Sequence, residues 1–355
     1  MRLLTLELRK FLRLPAVWGF LLVCLAVNTI AVFATSHKQE IDILNAMQEI
    51  PVEEYNPFEE LRGGEIIKEQ LLAERKNIPA PALKLLLWKY DLLGPEILAK
   101  AERRDGDAPY FGEWTQSIHF SIFHTLGRLF AMESGLFCIL IMLFALGYEG
   151  MSGSDLVGFS SKAGRGIARQ KIAAALLLGV AFFAIIHAVG YGLTFAVNDF
   201  TKVWSQNISA REHWLPQTTF LGTLPFITWR SMEIGQYFWG CVGVSFLNCL
   251  VLSLFAMPFG LLARNVYGAF CTLAGSIFLH IMFFLFWRTH TATPFVWYLS
   301  FMPPVTQFIL NQTWFSCGGG SMLLPHFEWF YPLICAALLC PALLVCAKKF
   351  KRKEL

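Results

Sequence analysis

The chain has 355 residues, of which 55% are hydrophobic and only 15% charged, with 33 Phe and a formal net charge of +4. Soluble domains carry nearer half apolar and a quarter charged residues, so a water-exposed globule is excluded as the frame for this chain. The apolar residues gather in runs of about 20, the length that crosses roughly 30 Å of hydrocarbon as a helix, and lipid forces such runs to satisfy their amides internally.

The pattern predicts an all-α integral membrane protein with six spans. Residues 1–14 form a short basic amphipathic stretch ending at Pro15, with Arg9, Lys10 and Arg13 at the headgroups and Leu8, Phe11 and Leu12 in the acyl boundary. Span one follows at 15–35. Its apolar stretch exceeds a signal-peptide core and lacks an A-x-A site before Ser36, so it reads as an uncleaved anchor.

Residues 36–128 separate spans one and two. Between 36 and 125 there are 16 Asp and Glu against 10 Lys and Arg, a net of −6. Candidate helices are Lys38–Ile50, Glu65–Asn77 and Ala82–Arg104, interrupted by Pro51, Pro57, Gly63-Gly64, Pro79 and Pro81. Leu83, Leu86, Leu87, Tyr90 and Leu93 share one helical face. The segment reads as a small helical cap packing on itself, with a platform for substrate or partner as the functional alternative.

The remaining spans fall at 129–148, 172–197, 236–262, 266–287 and 328–347, with a loop at 149–171, a loop at 198–235, a broken apolar segment at 288–327 and a basic tail at 348–355. Within that broken segment, Pro294–Tyr298 through Phe308–Leu310 is apolar but interrupted by Pro303-Pro304, too short to cross, and reads either as half-helices dipping back into the outer leaflet or as an interfacial loop with an aromatic belt of Trp297, Tyr298 and Trp314. Lys and Arg orient the whole: Arg2, Arg9, Lys10, Arg13, Lys162, Arg165, Arg169, Lys171, Arg264 and the Lys348–Lys353 tail fall on one side, read as cytoplasmic. Both termini are therefore expected inside and 36–128 outside, in a multi-pass cell-membrane protein of bacterial type. All nine Cys but Cys317 lie in apolar runs, and no Cys/His metal spacing appears. No G-x-x-x-x-G-K-[ST] occurs, so the chain has no phosphate loop of its own.

Two stretches carry a more specific pattern. One is Glu7–Arg13 followed by Pro15 and Trp18. The other runs from Tyr148 to Lys171 and contains Glu149, Gly153, Ser154, Ser160, Ser161, Gly164, Arg165 and Lys171 at intervals joined by a short apolar helix bearing Leu156, Val157 and Phe159. This layout resembles the membrane subunit of ABC-2 type transporters, the family that shares the fold of the G-class exporters. The external segment is far longer than a minimal loop, which is similar to permeases of Gram-positive bacteria linked to peptide antibiotic handling.

The resemblance implies an N-terminal elbow helix, re-entrant helices before span six, and a coupling helix that docks on an ATPase through Glu149, Gly153, Ser154, Leu156, Phe159 and Arg165. It also implies a separate ABC ATPase subunit carrying ATP and magnesium, and a second identical or related permease subunit. The chain itself would perform no catalysis, would bind no cofactor or nucleic acid, and would move a peptide or amphipathic substrate across the lipid. A non-transporting sensor or immunity subunit that binds an external peptide through 36–128 is the alternative. Asn28, His187, Asn248 and His280 are the pathway candidates, because polar groups inside spans are costly and often functional. Glu133 reads as reaching water at the outer end of span two, and His119 and His124 as too isolated for a metal site.

Overall fold

The computed structural model describes residues 2–46, 56–107, 110–153, 167–216, 223–263, 265–288, 304–318 and 324–352. Six helices are long and apolar enough to cross a membrane: Pro15–Ala34, Gly112–Tyr148, Ile167–Val197, Ile234–Leu262, Val266–Phe286 and Phe327–Lys348. We number them spans one to six. Span two is the hub. It packs along spans three and four, and span four packs along span six. Small residues permit the close approaches: a Cβ on Gly190 would fall 2.6 Å from the Phe130 ring, and one on Gly135 would fall 2.8 Å from Leu252. Phe137 and Phe182 stack between spans two and three with centroids 4.0 Å apart. Span five contributes least to this core, with 17% of its apolar window buried.

Span two starts earlier than residue 129. Its backbone is helical from Thr115, passes through a π-helical stretch at Phe120–Leu126, and runs on to Ser152. Ser, His, Thr and Arg give that first part the look of a loop in the sequence, whereas here they are bonded into the bundle.

The N-terminal helix, Arg2–Leu12, packs chiefly along span three and touches the far end of span two through Phe11 and Lys10. Phe11, expected in the acyl boundary, is instead fully buried, edge-on to Phe144, because it fills the gap between this helix and the span. Lys10 sits over the Tyr148 ring at 4.7 Å. The Trp18 indole donates to the Leu12 carbonyl at 2.8 Å, fixing the corner into span one.

On the opposite side of the bundle, the cap side, lie helices Lys38–Ala46, Glu65–Ala73 and Ala80–Arg103. Gly63 and Gly64 make the expected break, with φ of +65° and +89° that glycine adopts without strain. Asn56 starts the preceding turn by accepting from the Phe58 amide, with Pro57 at the first helical position. The cap does not pack only on itself. Phe58, Ile67, Leu71, Tyr90, Leu93 and Ile97 share one core with Leu224 and Ile227 from the loop after span three and with Cys317 before span six. Among the described residues the departure from an all-helical fold is a hairpin in that loop, Trp214–Pro216 against Thr223–Pro225, antiparallel with Leu215 opposite Leu224. Before span six, Pro304–Ile309 is a short helix followed by a 3₁₀ turn at Asn311–Thr313, and 289–303 lies outside the described residues.

Candidate functional site at the cap-side ends of the spans

Polar side chains knit the cap-side ends of spans one, two and three. Asn28, 2% exposed in span one, donates from Nδ2 to Glu133 Oε2 of span two at 2.8 Å. The Cys24 thiol, one turn away, is also within hydrogen-bond reach of Glu133. Glu133 is therefore a partner of span one rather than only a group reaching water. Just past span one, the His37 amide donates to Asn198 Oδ1 at 3.0 Å, and its ring Nε2 meets Ser121 Oγ at 2.9 Å.

The π-helical stretch extends this lattice toward span six. Asn311 donates from Nδ2 to the Phe123 carbonyl at 2.7 Å and to the His124 carbonyl at 3.2 Å. Its Oδ1 accepts from His124 Nδ1 at 2.9 Å, which leaves His124 Nε2 to accept from the Arg128 guanidinium. Arg128 also donates to the Ile309 carbonyl at 3.2 Å. Wide π turns recur at functional positions, and here the turn presents two carbonyls and one imidazole to the 304–318 segment.

The cap is fastened from above by two buried lysines. Lys89, 1% exposed, donates to the Cys317 carbonyl. Lys100, wholly buried, donates to Thr228 Oγ1 at 2.9 Å and faces Asp105 at 3.6 Å and Glu96 at 3.8 Å. Burial pushes both ammonium groups below their ordinary range, with Asp105 and Glu96 opposing the shift at Lys100. His213 is buried in the loop after span three, stacked on Phe226 at 4.0 Å with its ring 4.1 Å from that of His119. Desolvation lowers it from 6.5 to about 4, against a hydrogen bond to the Ile208 carbonyl.

The sequence-derived candidates distribute as follows. Asn28 belongs to the lattice. His187 donates from Nδ1 to the Phe183 carbonyl of its own helix at 3.0 Å. Asn248, fully buried in span four, has neither side-chain polar atom hydrogen-bonded. His280 is half-buried in span five, its ring 6.3 Å from Phe283. Among the described residues no hydrogen bond joins any two of these four. Glu149 is in the last turn of span two's helix, and Gly153 follows it with φ +64°. Ser154, Leu156, Phe159 and Arg165 lie outside the described residues.

Lys89, Lys100, Asn311 and Arg128 are not legible in the sequence as anchors between segments. A lysine normally reads as surface, and nothing in the sequence announces that the cap helix docks on the loop after span three and on the segment before span six. Among the described residues no group of three or more His, Cys, Asp or Glu side chains is placed to hold a metal ion. The chain matches no known family profile, no curated protein and no solved structure.

Proposed function

We propose that the chain is the permease subunit of an ATP-driven transporter of the ABC-2 type, with the cap outside the cell and both termini inside. The observation that carries this reading is the junction at the other end of span two. The basic helix Arg2–Leu12 lies across it through Phe11 on Phe144 and Lys10 on Tyr148, where the chain leaves for the Glu149–Lys171 segment. On this reading the helix, which also packs along span three, serves as the elbow that ties span one to the exit of span two, so that force on that segment reaches the bundle.

On this reading Leu156 and Phe159 dock on a separate ATPase that holds ATP and magnesium, with Glu149, Gly153, Ser154 and Arg165 orienting the contact. A second identical or related permease subunit completes the path, and span five, the least covered span, has the free face for it. The re-entrant helices implied before span six would include 289–303, outside the described residues, beside the short helix Pro304–Ile309. The lattice of Asn28, Glu133, His37, Asn198, His124, Arg128 and Asn311 holds one arrangement of the outer ends, and nucleotide-driven movement of the inner ends exchanges it for another. The substrate is a peptide or amphipathic molecule.

The test is transport. Inside-out vesicles carrying the chain and its co-purified ATPase should accumulate a fluorescent cationic amphipathic peptide with ATP and not with a non-hydrolysable analogue. Peptide binding to the outside without ATP-dependent movement in either vesicle orientation would favour the sensor or immunity reading.

A further inference from the structure

Between the 3₁₀ turn at Asn311–Thr313 and span six, the backbone enters the left-handed region at Phe315, with φ of +60°. In that region a Cβ crowds the following carbonyl, so a bulky residue there is strained. Phe315 is nonetheless buried. Such a conformation persists only where its surroundings hold it, and it gathers at clamps and switches.

Three neighbours hold Phe315. Its amide donates to Glu328 Oε1 at 2.7 Å, and Glu328, wholly buried, is the second residue of span six. Its carbonyl accepts from the Trp229 amide at 3.3 Å. Its ring lies on span four at Gly240, where a Cβ would fall 2.8 Å from it. Two residues on, the Cys317 amide donates to the Ile227 carbonyl at 2.7 Å, and the Cys317 carbonyl accepts from Lys89 of the cap helix. Phe315–Cys317 is thus a strap of at most about 7 Å from Cα to Cα, with spans four and six at one end and the cap at the other. Over so short a distance, a change of φ at Phe315 moves the Cys317 carbonyl.

We infer that this strap is a strained latch that couples the entry of span six to the docking of the cap. While Glu328 holds the Phe315 amide, the strap is set and the Cys317 carbonyl faces Lys89. Displacement of Glu328 with span six lets Phe315 relax to negative φ, withdraws that carbonyl and loosens the cap helix. The latch needs only the bonds of the strap and does not rest on the transport reading.

The test reads both ends of the strap in the full chain in detergent. Glu328→Ala removes the acceptor, Glu328→Gln keeps an accepting oxygen, and Gly240→Ala pushes on the Phe315 ring from span four with a residue that helices favour. The Cys317 thiol is wholly buried, so its alkylation by N-ethylmaleimide, located by peptide mass spectrometry, reports release of the strap. Glu328→Ala should raise the alkylation rate roughly tenfold, the value of one hydrogen bond to a carboxylate. Gly240→Ala should raise it at least roughly threefold through overpacking, and Glu328→Gln should stay within about twofold of the unaltered chain. Amide exchange in Ala80–Arg103 should quicken in step with alkylation, while Lys38–Ala46, which packs on the bundle core through Ile41, keeps its rate. Cys317 as protected in Gly240→Ala or in a folded Glu328→Ala as in the unaltered chain would overturn the latch. So would a Glu328→Gln as loose as Glu328→Ala, a reactive Cys317 beneath a cap helix that exchanges at its old rate, or, in Gly240→Ala, a quickening shared by Lys38–Ala46.

Discussion

Asn28 and Glu133, 105 residues apart, meet across spans one and two through a 2.8 Å hydrogen bond from amide to carboxylate. Interhelical hydrogen bonds in bilayers contribute about 0.6–2 kcal/mol. A double-mutant cycle of Asn28→Ala and Glu133→Ala, read by reversible unfolding in mixed micelles, should give a coupling of about 1 kcal/mol. Glu133→Gln, which keeps an accepting oxygen, should lose less than Glu133→Ala. A coupling indistinguishable from zero would mean that the pair is not formed in the membrane.

The proposed orientation puts the cap outside and the segment between spans two and three inside. Asn77 is exposed on the cap, and Ser161 falls in the segment between spans two and three. In intact cells an impermeant maleimide should label Asn77→Cys above the background of the native cysteines and spare Ser161→Cys until the membrane is opened. The opposite pattern would invert the orientation and remove the ATPase-facing role of the 149–171 segment.

Lys100 anchors the cap through Thr228 and Asp105. Lys100→Met preserves the volume and removes the donor, while Arg103 still pairs with Asp105 at 3.2 Å. The loss should be roughly 2 kcal/mol of local stability, seen as roughly thirtyfold faster amide exchange in Ala80–Arg103 with the spans unaffected. Exchange at the rate of the unaltered protein would show that the cap does not depend on this anchor.

His213 makes the cap-side loops acid-sensitive. Its folded value of about 4 lies below the ordinary 6.5, so between those values the unfolded chain binds a proton that the folded chain refuses. Stability is unaffected above pH 6.5 and falls as pH drops toward 4, by up to about 3 kcal/mol. The groups facing it are His119 and Tyr110, with ring centroids at 4.1 and 6.2 Å. Tryptophan-monitored melting of the detergent-solubilised protein should show this acid limb, and His213→Phe should make it shallower. A limb of unchanged steepness in the variant would assign it to other groups.

The spans were legible because lipid demands a single thing of a sequence, about 20 apolar residues, and Pro15, Gly63-Gly64 and Pro79 punctuated the helices around them. What joins those pieces was not. The start of span two reads as polar loop because Ser121, His124 and Arg128 find their partners 84 to 187 residues away, at His37, Asn311 and the Ile309 carbonyl. Phe11 reads as lipid-facing because periodicity gives the apolar face of a helix but not whether lipid or Phe144 covers it. Asn28 was singled out by its cost in a span, yet its partner required the fold.

On the proposed reading, energy reaches this chain from a separate ATPase through the segment after span two. Leu156 and Phe159, three residues apart, share a face if that segment is helical, and buried apolar anchors dominate such contacts. The most direct measurement is the amount of phosphate-loop ATPase that co-purifies with the tagged chain from its own membranes, for the unaltered protein, Leu156→Asp, Phe159→Asp and Leu92→Asp, the last exposed on the cap. A stoichiometric ATPase is expected with the unaltered protein and Leu92→Asp, and its loss with Leu156→Asp and Phe159→Asp at equal expression and membrane insertion. No ATPase with the unaltered chain, or full retention by both coupling-segment variants, would contradict it.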